Sequence, residues 1–137
     1  VNEFPQLSAL IFSKPQKGKS SEDGFLTVNE IANMKIQVDF VNLSACMTGM
    51  GEVTISEGII GLTQAFIIAG ANSVSASLWE VPDESTAIFM SEMYQKVNDG
   101  NPFSQAIALT KREFINGAYG EKYKAPYYWA PFVYYGN

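Results

Sequence analysis

An α/β domain built on a mainly parallel sheet is the fold class this sequence predicts, and three observations carry it. Short apolar or β-branched runs alternate with longer helical ones. Glycine, proline and capping residues punctuate the boundaries between them. A composition 47% apolar and 17% charged over 137 residues is that of a packed chain with a sizeable core. Residues 1–137 are expected to form one domain, with no linker and no internal repeat.

The elements follow in order. LSALIFS (7–13) is a short apolar strand, and the polar run KPQKGKSSEDG (14–24) is an exposed loop or hairpin tip. Thr27-Val28-Asn29-Glu30 matches the capping box, in which hydroxyl and carboxylate satisfy orphan amides reciprocally, so a helix starts there. IQVDFVNLSA (36–45) reads as a strand, with Val38, Phe40 and Leu43 largely buried. After the Gly49/Gly51 turn, SEGIIGLTQAFIIAG (56–70) is apolar on most of its circumference. That pattern predicts a helix packed inside the domain, closed by Gly70 at its C′ position.

NSVSASLWEV (72–81) is the next strand, stopped by Pro82, with Asp83 placed to cap the helix that follows. Ile88, Met90, Met93, Tyr94 and Val97 lie at helical spacing and define its expected core face. Asn101 then Pro102 reads as N-cap and first helical position of PFSQAIALTKREFINGA (102–118). The tail APYYWAPFVYYGN (125–137) suits a final strand, with Pro126 and Pro131 limiting its pairing.

Charge and residue counts exclude several functions. Net charge is −5, and the nine lysines and arginines form no cluster. Neither a nucleic-acid surface nor a polybasic membrane anchor is therefore expected. No apolar run reaches the ~18 residues of a spanning helix, and VNEFPQLSAL lacks the basic start of a signal peptide. One cysteine cannot form an internal disulfide, which fits a reducing, cytoplasmic setting. With no histidine and one cysteine, neither a metal site nor a self-contained Cys–His or Ser–His–Asp arrangement is available, and no cofactor is expected. Because the chain opens on Val rather than Met, it is read as a piece of a longer protein.

Cys46 sits where an apolar strand meets a glycine-bounded turn. The carboxyl edge of a parallel sheet is where such folds build sites, and free backbone amides there can hold an oxyanion. Position alone leaves a buried structural thiol equally open. Gly49-x-Gly51 lacks the third glycine of a dinucleotide fingerprint, position 54 being Thr, and no P-loop lysine accompanies it. Trp79-Glu80-Val81-Pro82-Asp83 follows the other good strand, so in a parallel sheet it emerges at the same edge. Glu80 and Asp83 could receive a cationic group there; Asp83 could equally serve only as a helix cap, and the two roles are compatible.

Three segments, DGFLTVNEIANMKIQVDFVNLSACMTGMGE (23–52), EGIIGLTQAFIIAGANSVSASLWEVPDESTAIFM (57–90) and PYYWAPFVYYG (126–136), resemble the CHAT family of caspase-like cysteine peptidases. That family is often fused to tetratricopeptide repeats. The resemblance covers residues 4–136 and implies a caspase/separase/clostripain-type three-layer sandwich, here lacking its N-terminal strands. It implies peptide-bond hydrolysis by a Cys–His dyad, with Cys46 aligned to the nucleophile of the LSAC motif. The family's histidine and an oxyanion-hole glycine lie in an HG motif that would precede Val1, so the base is expected from outside this chain. Separase has a similar segment, LW-D-V-T-D, whose second aspartate receives the arginine before the scissile bond. Asp83 takes that place and Glu80 the place of the first, which implies a preference for a basic P1 residue. The tail aromatics Tyr127, Tyr128, Trp129 and Phe132 are read as core and sheet closure. Expected partners are a protein or peptide substrate, fused tetratricopeptide-repeat or other domains, and a second copy paired through an exposed sheet edge.

Overall fold

A computed structural model gives the fold and describes residues 8–13, 23–44 and 52–136. The protein is α/β, as its alternating pattern requires. Strands β1 (Ala9–Ile11) and β2 (Phe25–Thr27) pair antiparallel, Ile11 opposite Phe25, so the first apolar run is one arm of a hairpin rather than a strand of the main sheet. Helix α1 (Val28–Asn33) starts on the capping box: the Glu30 amide donates to Thr27 Oγ1 at 3.3 Å, and the Thr27 amide donates to Glu30 Oε2 at 2.8 Å. That backbone N–H, then the Thr27 hydroxyl, hold the Glu30 carboxyl below its usual range.

The main sheet has the order β3–β4–β5, from β3 (Val41–Leu43), β4 (Ser73–Ser77) and β5 (Phe132–Gly136). β3 and β4 run parallel, Val41 opposite Val74 and Leu43 opposite Ala76, joined through helix α2 (Glu52–Ala69). The run expected as one strand over 36–45 is regular only at 41–43, with an isolated parallel bridge from Val38 to Ala71. Gly70 ends α2 at φ +117, and a Cβ there would fall 2.1 Å from the Ile36 carbonyl oxygen. Only glycine fits this close approach of backbone to backbone.

β5 is antiparallel to β4, Ser77 opposite Phe132 and Ser75 opposite Tyr134. The route of the chain dictates this. Helix α3 (Asp83–Asn98) leaves from the carboxyl edge of β4, and helix α4 (Phe103–Asn116) with the 3-10 turns Glu121–Lys124 and Pro126–Tyr128 brings the chain back to it. Lys122 there pairs with Glu84, and the Leu78 amide donates to the Pro131 carbonyl at 3.1 Å. A strand entering at that edge has to run opposite to β4.

β4 is buried on both faces, and its alternation sorts two interiors. Val74 and Ala76 join Ile31, Leu43, Ile59, Leu62, Ala65 and Ala69 on the α1/α2 side. The serines face the α3/α4 side, where Phe89, Met93, Ile107, Phe114, Tyr123 and Phe132 cluster. Phe89 sits between Phe132, stacked at 4.2 Å, and Phe114, tilted at 5.6 Å. Phe40 is half-buried and stacks on Phe103 at 4.0 Å.

Several local expectations are corrected. The buried face of α3 is Ser85, Phe89 and Met93; Ile88, Met90 and Val97 flank it, and Tyr94 faces solvent. α2 is not enclosed: the sheet and α1 cover part of it, leaving Ile60, Ile67 and Ile68 exposed, the last at 71%. Val38 is exposed as well. Pro82 occupies the N-cap position of α3 and Asp83 is its first residue, making no capping hydrogen bond. The prolyl φ near −54° suits that half-helical position, so the frame moves by one residue. At α4 Pro102 holds the same place, and the Asn101 side-chain amide donates instead to the Lys96 carbonyl at 2.9 Å, closing the end of α3.

A polar network ties α3 to α4. Lys96 Nζ donates to Glu113 Oε2 at 2.6 Å and to Glu92 Oε2 at 3.4 Å, and the Tyr119 hydroxyl donates to Glu113. Burial pushes the Glu113 carboxyl up, but Lys96 and Tyr119 together outweigh it and hold the group below its usual range. Burial, then the Glu113 carboxylate, raises the Tyr119 hydroxyl.

Candidate functional site

Because β3 and β4 are parallel, the segments that follow them leave the sheet at the same edge. β3 ends at Leu43, opposite Ala76, and Ser44 beyond it is exposed. Cys46 follows two residues later; it lies outside the described residues, as does the rest of 45–51, and α2 resumes the chain at Glu52.

From β4 the chain passes into a loop with defined anchors. Ser77 Oγ donates to the Trp79 carbonyl at 2.6 Å. The indole Nε1–H of Trp79 donates to the Tyr127 carbonyl at 3.1 Å. Val81 packs against the aromatic cluster, and Ser85 Oγ donates to the Pro82 carbonyl at 2.9 Å. Glu80 and Asp83 are both exposed, on the segment between Trp79 and the first turn of α3. Negative charge in that turn is favoured by the helix dipole, without any side-chain cap.

Glu84, next along, pairs with Lys122 at 3.3 Å, and Lys122 Nζ lies 4.8 Å from the centre of the Tyr123 ring. The Tyr123 hydroxyl, then Lys122, hold the Glu84 carboxyl below its usual range. With both side chains more than half exposed the pair is worth little in stability. It does fasten the first turn of α3 to the turn after α4.

Glu80 on the loop and Asp83 at the start of α3 thus both follow β4 at the edge where β3 also ends. A proton acceptor for a thiol is not found among the sequence's histidines, because there are none.

The tail departs from its expected role in part. Phe132 is core, and Tyr128 and Trp129 pack half-buried against it. Tyr127 is not core: the residue is 50% exposed and its ring meets Tyr128 edge-on at 5.3 Å, because the 3-10 turn projects it outward. Its carbonyl, not its ring, makes the contact to the site loop. Sequence patterns could not find this bond, which joins residues 48 apart. The one available signal was an indole in the segment after a strand, since a part-buried indole N–H normally finds an acceptor. Among the described residues no helix is long and apolar enough to cross a membrane.

Against known proteins, the family model described as CHAT domain matches residues 1–137. Tetratricopeptide repeat protein 28 of Mus musculus is 28% identical to the chain over 112 residues, and that of Homo sapiens 29% over 112 residues. Each similarity spans 82% of this chain but 4% of the relative's length, so the chain corresponds to a small part of either protein. A match along all 137 residues makes this protein a member of the CHAT domain family.

Proposed function

We propose that this chain is the nucleophile-bearing portion of a cysteine endopeptidase, residues 1–137 acting as one domain. Cys46 is the nucleophile, and Asp83 with Glu80 receives a basic P1 side chain. The observation that supports the reading is the parallel register of β3 and β4, by which Leu43, three residues before Cys46 in the sequence, and Ala76, four residues before Glu80, end side by side. The sequence motifs and the family support it.

In this reading a histidine from outside the chain takes the thiol proton, and the Cys46 thiolate attacks the scissile carbonyl. The Cys46 amide and one from the same outside segment hold the tetrahedral oxyanion; losing one such donor costs about 10²–10³ in rate. The amine leaves with the proton returned by the histidine, and water hydrolyses the thioester. The substrate is a protein or peptide, met in the cytoplasm.

The test uses the full-length protein that carries this domain, with fluorogenic peptides varied at P1 and a Cys46→Ala control. Cleavage after Arg or Lys that disappears in the control supports the reading. No cleavage, together with a thiol inert to an acyloxymethyl ketone probe, overturns it.

A second reading is a pseudopeptidase used as an interaction module beside repeats, favoured by relatives that are named as tetratricopeptide repeat proteins. A Cys46→Ala protein with full cellular function would select it. Among the described residues the outer edge of β3 carries no strand, which favours pairing with a second copy. Light scattering that finds only monomer at high concentration would refute that pairing.

A further inference from the structure

Several polar groups of the loop between β4 and α3 are tied to β4 or to the C-terminal segment. The Leu78 amide is bound by the Pro131 carbonyl, the Trp79 carbonyl by the Ser77 hydroxyl, and the Trp79 indole by the Tyr127 carbonyl. Glu84 is held from the far side by Lys122. The acceptor of the indole is itself braced: Trp129 Nε1 donates to the Lys124 carbonyl at 3.1 Å, and the Tyr128 and Trp129 amides donate to Ala125 and Pro126 within the same turn. Both tryptophans of the chain therefore spend their indole N–H on backbone carbonyls of one short segment, residues 124–127.

The bond from Trp79 differs from the others in position. Leu78 and Ser77 fix the start of the loop and Glu84 lies already inside α3, whereas Trp79 is next to Glu80 and four residues before Asp83. Trp79 is 39% exposed as a residue, so hydrophobic burial alone does not immobilise it. Removing the indole bond deletes the tie to the C-terminal turn nearest Glu80, while the Ser77 bond to the Trp79 carbonyl and the packing of Val81 remain.

We infer that Trp79 is a positioning residue for substrate selection: its indole latches the Glu80–Asp83 loop to the C-terminal aromatic turn, holding the carboxylates in one place at the sheet edge. This rests on the proposed role of Asp83. A fixed carboxylate discriminates a guanidinium or ammonium from a neutral side chain better than a mobile one, because less ordering entropy is lost on binding.

The experiment again uses the full-length protein, with peptides bearing Arg, Lys or Leu at P1, and the variants Trp79→Phe, Asp83→Asn and the double variant. Trp79→Phe keeps an aromatic ring and deletes the N–H together with the pyrrole part of the indole. The expected result is a fall of roughly 3–10-fold in the Arg-to-Leu ratio of kcat/KM, the scale of one neutral hydrogen bond, appearing in KM with kcat within about twofold. In the Asp83→Asn background Trp79→Phe costs clearly less than in the wild type, since it acts through the carboxylates; a merely structural role would add its full loss to both. Equal losses on Arg and Leu peptides, or a ratio left unchanged, overturn the inference.

Hydrogen exchange separates this from the underlying reading. The amides of Trp79, Glu80 and Val81 should exchange roughly 3–10-fold faster in Trp79→Phe, whatever the enzyme cleaves. If Asp83→Asn leaves selectivity untouched, the role of Asp83 fails, and exchange alone then decides the latch: acceleration keeps it, and unchanged exchange removes it.

Discussion

On one face of β4, Val74 and Ala76 meet aliphatic and small side chains from α1 and α2; on the other, Ser73, Ser75 and Ser77 look toward the rings of α3, α4 and β5. The first interior is gathered mostly from residues 10–78 and the second mostly from 81–134. One strand thus serves two cores by different means. Small aliphatics let α2 lie close to the sheet, and serines leave room for aromatic rings that bring their own volume. The aromatic side is also the one that fastens the candidate site, through Val81 and the tail turn. Damage there should reach stability and selectivity together, whereas damage on the aliphatic side should reach stability alone.

The sharpest way to break this contrast is Phe89→Ala. The ring is fully buried between Phe114 and Phe132, so its removal should cost about 3–5 kcal/mol, read by chemical denaturation. On the aliphatic side, Gly70→Ala should cost at least about 1–3 kcal/mol, because the new Cβ meets the Ile36 oxygen and the left-handed φ is strained. A variant no less stable than wild type would mean that α2 and the segment before β3 do not approach so closely.

Ser75→Val probes the divider itself. Valine is the better strand residue, yet at 1% exposure opposite Tyr134 it should overpack the aromatic side and lower stability by about 1–3 kcal/mol. A stabilised variant would show that the serines do not make room for rings. Thr27→Ala removes the capping box on the periphery of the aliphatic side and should cost about 1 kcal/mol, with no effect on P1 selectivity.

The smallest effect belongs to Glu113→Gln. The Glu113 carboxyl is depressed in the folded state, so its contribution is present above the unfolded value near ~4.3 and lost as pH falls through the folded one. With the Glu113 side chain 40% exposed, that contribution is about 1 kcal/mol or less. The variant should flatten the stability–pH slope below about pH 5 by that amount, as seen in thermal melts across acid pH.

Features written in contiguous residues were legible in the sequence. The capping box needs four neighbours and formed as read, and Gly70 closed α2 where the apolar run ended. Features set by the path of the chain were not. Nothing in APYYWAPFVYYG states a strand direction; β5 runs antiparallel because α4 and the turns return it to the carboxyl edge. The face of α3 was misjudged because Met90 and Tyr94 share the helical spacing of Ile88 and Val97, and only contact with Phe114 and Phe132 selects Phe89. Around the candidate site, the place of Glu80 and Asp83 after a strand was legible, while the indole bond from Trp79 joins distant segments. The nucleophile assignment rests on the motif around Cys46, outside the described residues.

The antiparallel last strand also sets a timetable for biosynthesis. Phe89 and Phe114 emerge from the ribosome well before Phe132, the ring that stacks on Phe89, and 18 residues separate the last two. At roughly 5–20 residues per second that is a delay of about 1–4 seconds. During it the strand β4 lacks a neighbour on that edge, while the aliphatic interior is supplied almost entirely by residues already made. Nascent chains stalled just short of the tail should therefore bind hold-type chaperones through the α3–α4 face, and release them once β5 docks.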